Sequence, residues 1–255
     1  MTWNVQHASA ERSQRQVAWL AGQPGADVVV LTEVGHGPGG EGLLAALAEH
    51  GYTAVLSRSP DEATYRAVIA SRIGELTEIP TGIEVLAHRA LAASVDLGGQ
   101  RIAVAGLYVP SRGPKERRNL DKRAFQDAVA AALPALVARF DGPWVVAGDM
   151  NVLEPGHKPH YPLFGAWEYD FYAAFGRVGL VDAFRALHPG VVEHSWFGHG
   201  GNGYRFDHAY VSANVTHRVL TCEYLHEPRE AGLSDHAALT LTLSLPAPRP
   251  PSAPT

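Results

Sequence analysis

The spacing of the apolar runs constrains this chain more than any single motif. Strand-length runs occur at 27–32, 53–57, 66–72, 90–96, 101–107 and 144–149, and helix-length stretches at 10–22, 40–50 and 115–139 separate several of them. Two more helical stretches follow at 168–178 and 182–187. Beyond residue 205 the runs crowd together, at 206–212, 215–225 and 236–244, with no helix-length stretch read between them. Parallel neighbours need a crossover of about a dozen residues or more, whereas antiparallel ones need only a turn. A chain with both spacings builds mixed sheets, and covering their faces calls for packed sheets with helices outside. A pure doubly wound sheet is excluded. The opening TWNV also reads as a short strand, and Pro134 is expected to kink the 115–139 helix or end its first part.

No repeat and no internal linker divides the chain, so residues 1–245 are expected to form one domain, followed by a disordered Pro-rich tail, PAPRPPSAPT, at 246–255. An apolar fraction of 46% over 255 residues supplies a sizeable core. No apolar run approaches the roughly 18 residues of a membrane span, and MTWNVQHAS is not a signal peptide. The lone Cys222 forms no internal disulfide, which points to a reducing, cytoplasmic setting, and a monomer is the expectation for oligomeric state. The net charge of −5 makes any polyanion site a local patch.

Several apolar runs end on polar residues. VVAGDMNVLE leaves a strand through Gly148 and places Asp149 and Asn151 on alternate positions, which in an extended segment share one side. TWNV carries Asn4, VVVLTE ends at Glu33, RFDHAYVS holds Arg205 and Asp207, and GLSDHAALTLTL sets Asp235 and His236 before the last strand. Singly, each is an ordinary turn or cap residue. Asp207 differs, because its apolar neighbours bury it and a buried carboxylate needs a partner such as His236. Glu33 and Asp235 suit a hard cation, Mg²⁺ or Mn²⁺. Zinc has little support: there is no HExxH, no cysteine pair, and only a faint His157/His160 spacing.

TWNV, LTE, YVPSRG, GDMN, RFDHAYVS and SDH occur in an order that resembles the endonuclease/exonuclease/phosphatase superfamily of metal-dependent phosphoesterases, closest to its exonuclease III and abasic-site endonuclease branch. The resemblance runs from about residue 2 to 244. It implies a four-layer α/β sandwich, two packed mixed sheets flanked by helices. It also implies roles: Glu33, Asp235 and Asn4 at the metal, Tyr108 against the scissile phosphate, and Asp149 activating water. Asn151 would hydrogen-bond the phosphate and the surroundings of Asp149, and Asp207 would orient His236. Whether Asp149 or His236 is the general base stays open, as does one metal or two.

Two features bear on the substrate. RGPKERRNLDKR, at 112–123, is either a solvated helix start or a strand-gripping patch through Arg112, Arg117, Arg118 and Lys122. Trp196, Tyr204 and Phe206 match the pocket in which abasic-site enzymes receive a flipped sugar, or are plain core aromatics. The expected activity is Mg²⁺-dependent phosphodiester hydrolysis in DNA repair, by an abasic-site endonuclease, a 3′–5′ exonuclease or both, with Mn²⁺ as substitute cation. The alternative is a phosphoesterase of the same fold acting on RNA, a lipid headgroup or a small ester.

Overall fold

The structure, a computed structural model, describes residues 1–58, 65–97, 99–113 and 116–244, with the backbone alone for 116–118. The tail at 246–255 lies outside the described residues. The first part of the chain forms β1 (Thr2–Asn4), α1 (Ala10–Ala21), β2 (Val28–Gly35), α2 (Pro38–Glu49), β3 (Ala54–Ser57), β4 (Tyr65–Ser71), β5 (Leu76–Glu78), β6 (Ala90–Asp96), β7 (Arg101–Tyr108) and α3 (Glu116–Ala138). The remainder forms β8 (Trp144–Asp149), α4 (Ala166–Arg177), β9 (Leu180–Asp182), α5 (Ala183–Leu187), β10 (Trp196–Phe197), β11 (Gly203–Tyr204), β12 (Asp207–Ser212), β13 (Val219–Leu225), α6 (Glu227–Glu230) and β14 (Ala238–Leu243).

Two six-stranded sheets result, ordered β13-β14-β1-β2-β4-β3 and β5-β6-β7-β8-β12-β9, with β10 and β11 as a separate hairpin. The pairs β1/β2 and β7/β8 are parallel, and the other ladders are antiparallel. Val30, Ile69, Leu91, Val104, Ala147 and Leu239 fill the space between the sheets. On one outer face α1 and α2 bury Val17, Leu20, Leu43 and Leu47 against Leu31 and Val34. On the other, Phe125 and Leu133 of α3 and Phe171 and Phe175 of α4 cover Leu107 and Val146. The expected four layers are present. At Gly106 the sheets come so close that an added Cβ would lie 2.9 Å from Val30 Cγ1.

Local chemistry explains α1. Ser9 Oγ caps it by accepting from Arg12 N at 3.3 Å. Ser13, Gln16, Val17 and Leu20 recur at helical spacing and are buried. Gln16 Nε2 donates to Val5 O at 2.8 Å and to Leu233 O at 2.6 Å, joining the helix to the chain just after β1 and just before Asp235.

One expectation narrows and two change. The α3 helix runs through Pro134 to Ala138, held by buried Leu133 and Leu136 on either side, so the proline does not end it. Residues 213–218 form a 3₁₀ turn, and the strand there starts only at Val219. The last strand starts at Ala238, leaving His236 in a single bridge to Trp196. The two- and three-residue strands β5, β9, β10 and β11 carry too little periodicity to read from sequence. Among the described residues no helix is long and apolar enough to cross a membrane.

Candidate active site

The topology brings the polar strand ends together. Asn4 closes β1 and Asp149 closes β8, and Asn4 Nδ2 donates to Asp149 Oδ2 at 2.9 Å across the two sheets. The C-terminal ends of both parallel pairs therefore meet on one rim. A cleft there is lined by Asn4, Glu33, Tyr65, Tyr108, Ser111, Arg112, Asp149, Asn151, Trp196, Tyr204, Phe206, Asp235 and His236, among others.

Backbone irregularities aim the carboxylates. In β2 the pairing with β4 shifts register between Leu31 and Val34. Both of these residues pack under the helices, so the bulge holds an extra residue. Glu33, at φ +57°, sits in that bulge. Its Oε2 accepts from Asn4 Nδ2 at 2.9 Å. Gly148, at φ +147°, lets β8 lie against β7, since a Cβ there would fall 1.9 Å from Leu107 O. Asp149 and Asn151 do converge, but not by strand alternation. Asn151 is left-handed, at φ +48°, and folds back so that its N and Nδ2 donate to Asp149 Oδ1 and Oδ2 at 2.9 and 3.0 Å. Asn151 Nδ2 also donates to Val109 O at 3.0 Å, so its amide hydrogens are divided between Asp149 and the backbone just after β7. Met150 is buried beneath α3 and α4.

Asp207 lies directly opposite Asp149 in the β8–β12 ladder. Both are buried, and His236 Nδ1 donates to Asp207 Oδ2 at 2.7 Å. Burial and the facing Asp207 raise the Asp149 carboxyl to about 7, although His236 and the Asn4 and Asn151 hydrogen bonds oppose the rise. Burial alone would push the His236 imidazole down, but Asp207, with Asp149 and Asp235, outweighs it and lifts it to about 10. The Asp149, Asp207 and His236 polar atoms all lie within 4.8 Å of one another. In this buried cluster the surroundings favour the protonated imidazole and raise the Asp149 carboxyl.

One wall of the cleft is aromatic. Trp196, Tyr204 and Phe206 pack with ring centroids 5.1–5.8 Å apart, and Phe164 lies 6.0 Å from Phe206. Trp196 Nε1 donates to Asp235 Oδ2 at 2.9 Å, tying this wall to the polar floor. Tyr108 is buried with Arg89 over its ring at 4.3 Å. Burial, then Glu33, hold its hydroxyl well above the ordinary tyrosine range, so it remains a donor.

Carboxylates at the ends of paired parallel strands, an Asp–His couple and an aromatic wall agree with what sequence comparison finds: a match to the endonuclease/exonuclease/phosphatase family over residues 1–236. The chain belongs to that family. Membership makes this endonuclease/exonuclease/phosphatase family member a phosphoester hydrolase. Its fold is similar to that of a Neisseria 3′ phosphatase bound to a product DNA hairpin, at 24% identity and a TM-score of 0.77, covering 96% of this chain and 98% of the other. An AP endonuclease from Archaeoglobus fulgidus is similar at 22% identity and a TM-score of 0.77, with the same coverage. One from Leishmania major is similar at 20% identity and 0.72, covering 96% of this chain and 87% of that one. The sequence matches none of the curated proteins it was compared with.

In this family member most of the expected site residues share the cleft, and Asp207 stands behind His236. The basic run behaves differently. Lys122 is fully buried, with Nζ donating to Asn151 O at 2.7 Å and to Glu168 Oε1 at 2.5 Å, so it is a structural cation and cannot grip a strand. Arg112 borders the cleft and donates to Glu168 Oε2 at 2.6 Å. The side chains of Arg117 and Arg118 lie outside those described. Sequence reading missed Arg89, His7 and Tyr65, whose placement beside Tyr108 and Glu33 comes from segments distant in the chain. It quoted Arg205 without its role. That arginine is fully buried and donates to Glu154 Oε2 at 2.6 Å and Asp182 Oδ2 at 2.7 Å, anchoring the start of β12.

The donor chemistry suits a hard cation. Glu33, Asp149 and Asp235 offer oxygens to the cleft, and Asp235 Oδ1 is buried with no hydrogen-bond partner among the described residues. His236 is the one histidine among the described residues that line the cleft, beside three carboxylates, so the donors there are mostly oxygen, which suits a hard cation better than zinc.

Proposed function

We propose that this family member hydrolyses phosphodiester bonds in DNA with a bound divalent cation, Mg²⁺ with Mn²⁺ as substitute, acting at abasic sites, at 3′ ends or at both. The observation that carries the mechanism is the 2.7 Å bond from His236 Nδ1 to buried Asp207, which faces Asp149 across the ladder and favours the protonated ring against the burial that opposes it. A protonated imidazole is no base. Asp149, fixed by Asn4 and Asn151, is therefore the group that takes the proton from the attacking water. His236 then faces the charge that grows on the phosphoryl oxygens, and the Tyr108 hydroxyl donates to the same centre. A cation held by Glu33 and Asp235, with Asn4 steadying Glu33, would neutralise phosphoryl and leaving oxygens.

Support for DNA comes from the aromatic wall, which suits a sugar lacking its base, and from Arg112 beside the cleft. It is consistent with the DNA hairpin on the Neisseria relative and the AP endonuclease activity named for the other two. The burial of Lys122 favours the second reading, a small phosphate ester, RNA or lipid headgroup, because it removes one of the four basic residues expected to grip a strand. A substrate panel separates the two. Abasic duplex, 3′-phosphate DNA, undamaged duplex, RNA and a generic diester are assayed with Mg²⁺, Mn²⁺ and EDTA. We expect EDTA-sensitive cleavage of abasic or 3′-blocked DNA. Activity that survives EDTA would refute the cation requirement, and turnover of small esters alone would refute the DNA reading.

A further inference from the structure

His7 takes no part in the steps above, yet the backbone is strained to deliver it. Gln6 and His7 have φ of +51° and +35°, a region that residues with a Cβ adopt reluctantly. The kink is clamped by specific bonds. Gln6 N donates to Asn4 Oδ1 at 2.9 Å, Arg12 Nη2 donates to Gln6 O at 2.6 Å, and His7 N donates to Glu33 O at 2.9 Å. Strain held this firmly beside a site signals a use for the conformation. Its result is that His7 Nδ1 donates to Glu33 Oε1 at 2.9 Å, while Asn4 Nδ2 occupies Oε2 at the same distance. A carboxylate only accepts, so the hydrogen is on Nδ1. The ring leans on Tyr65, centroids 5.1 Å apart, and its side chain is half exposed, so burial does not account for its position.

We propose that His7 is a positioning residue for Glu33. With Asn4 on the other oxygen, it locks the carboxylate in the orientation that receives the cation. This rests on the reading of Glu33 as a cation ligand. Glu33 projects from a bulge and is itself partly exposed; without both donors it would sample several rotamers, and binding would have to order it. Partners that orient a metal-binding side chain typically change metal affinity about 10–100-fold when removed.

Two substitutions isolate the donor from the strain. Glycine and asparagine both tolerate the left-handed backbone, but only asparagine retains a nearby N–H. Mn²⁺ and Mg²⁺ affinities are measured by calorimetry on the full chain for the wild type, His7→Gly, His7→Asn and Glu33→Gln, with thermal unfolding of each cation-free protein. His7→Gly should unfold no earlier than the wild type and yet bind Mn²⁺ about tenfold more weakly. His7→Asn should bind close to the wild type. If His7→Gly binds as tightly as His7→Asn while Glu33→Gln weakens binding, the role of His7 is overturned. If Glu33→Gln binds normally, the assignment of Glu33 itself fails.

Discussion

Replacing Asp207 with asparagine tests the central claim, that His236 works as a fixed cation. Asp207→Asn keeps the shape of the side chain that meets His236 Nδ1 at 2.7 Å but removes its charge. In the wild type the imidazole is lifted from 6.5 to about 10, which corresponds to about 5 kcal/mol favouring the protonated ring. An opposite charge at this range supplies about 1–3 pH units of such a shift. In the variant, burial works against protonation with only Asp149 and Asp235 opposing it. At pH 9 the wild-type ring is then charged and the variant ring largely neutral, whereas near pH 6 the two differ little. NMR of the imidazole nitrogens in cation-free protein reads the protonation directly. Turnover of the preferred substrate should fall about 10²–10³-fold at pH 9 and much less at pH 6. A raised histidine contributes stability that is complete below about 6.5 and lost as the pH climbs through about 10. Asp207→Asn should flatten that part of the urea stability curve. A variant whose ring stays protonated to pH 9, or whose activity loss is equal at both pH values, would show the reasoning to be wrong.

Other outcomes follow from the buried charges and the tight glycine. Burial alone would raise Glu154, but Arg185 and Arg205 hold it down at about 2; its contribution is full above about 4.5 and is lost as the pH falls towards 2. Urea denaturation across that range should show the loss in the wild type and not in Glu154→Gln. Lys122→Met should lower stability by about 3–5 kcal/mol, by removing the buried cation that meets Glu168 Oε1, while the salt dependence of substrate KM stays unchanged. A flatter salt dependence would restore Lys122 as a phosphate contact. Gly148→Ala should cost about 3 kcal/mol or more and depress kcat in the protein that still folds, because the added Cβ collides with Leu107 O beside Asp149. Normal stability and kcat would refute that packing argument.

The packed mixed sheets and the identity of the polar strand ends are legible in the order of residues alone. Strand-length runs with both long and short gaps admit little besides packed mixed sheets, and side chains such as Asn4, Asp149 and Asp235 stand at the junctions of run and turn. Residue type and periodicity are local properties, so they survive in one dimension. Exposure, charge state and aim are not local, and the tertiary structure alone decided them. Lys122 reads as part of a solvated basic run, yet it is buried because Glu168, 46 residues away, is there to meet it. The protonated form of His236 is favoured only because Asp207, 29 residues earlier, lies beside it and Asp149 faces Asp207 across a ladder. Glu33 and Asn151 look like ordinary strand-end residues, and a bulge and a left-handed turn direct them into the cleft. The energy of a buried charge depends on what stands within a few ångströms of it, and only folding brings those groups within reach.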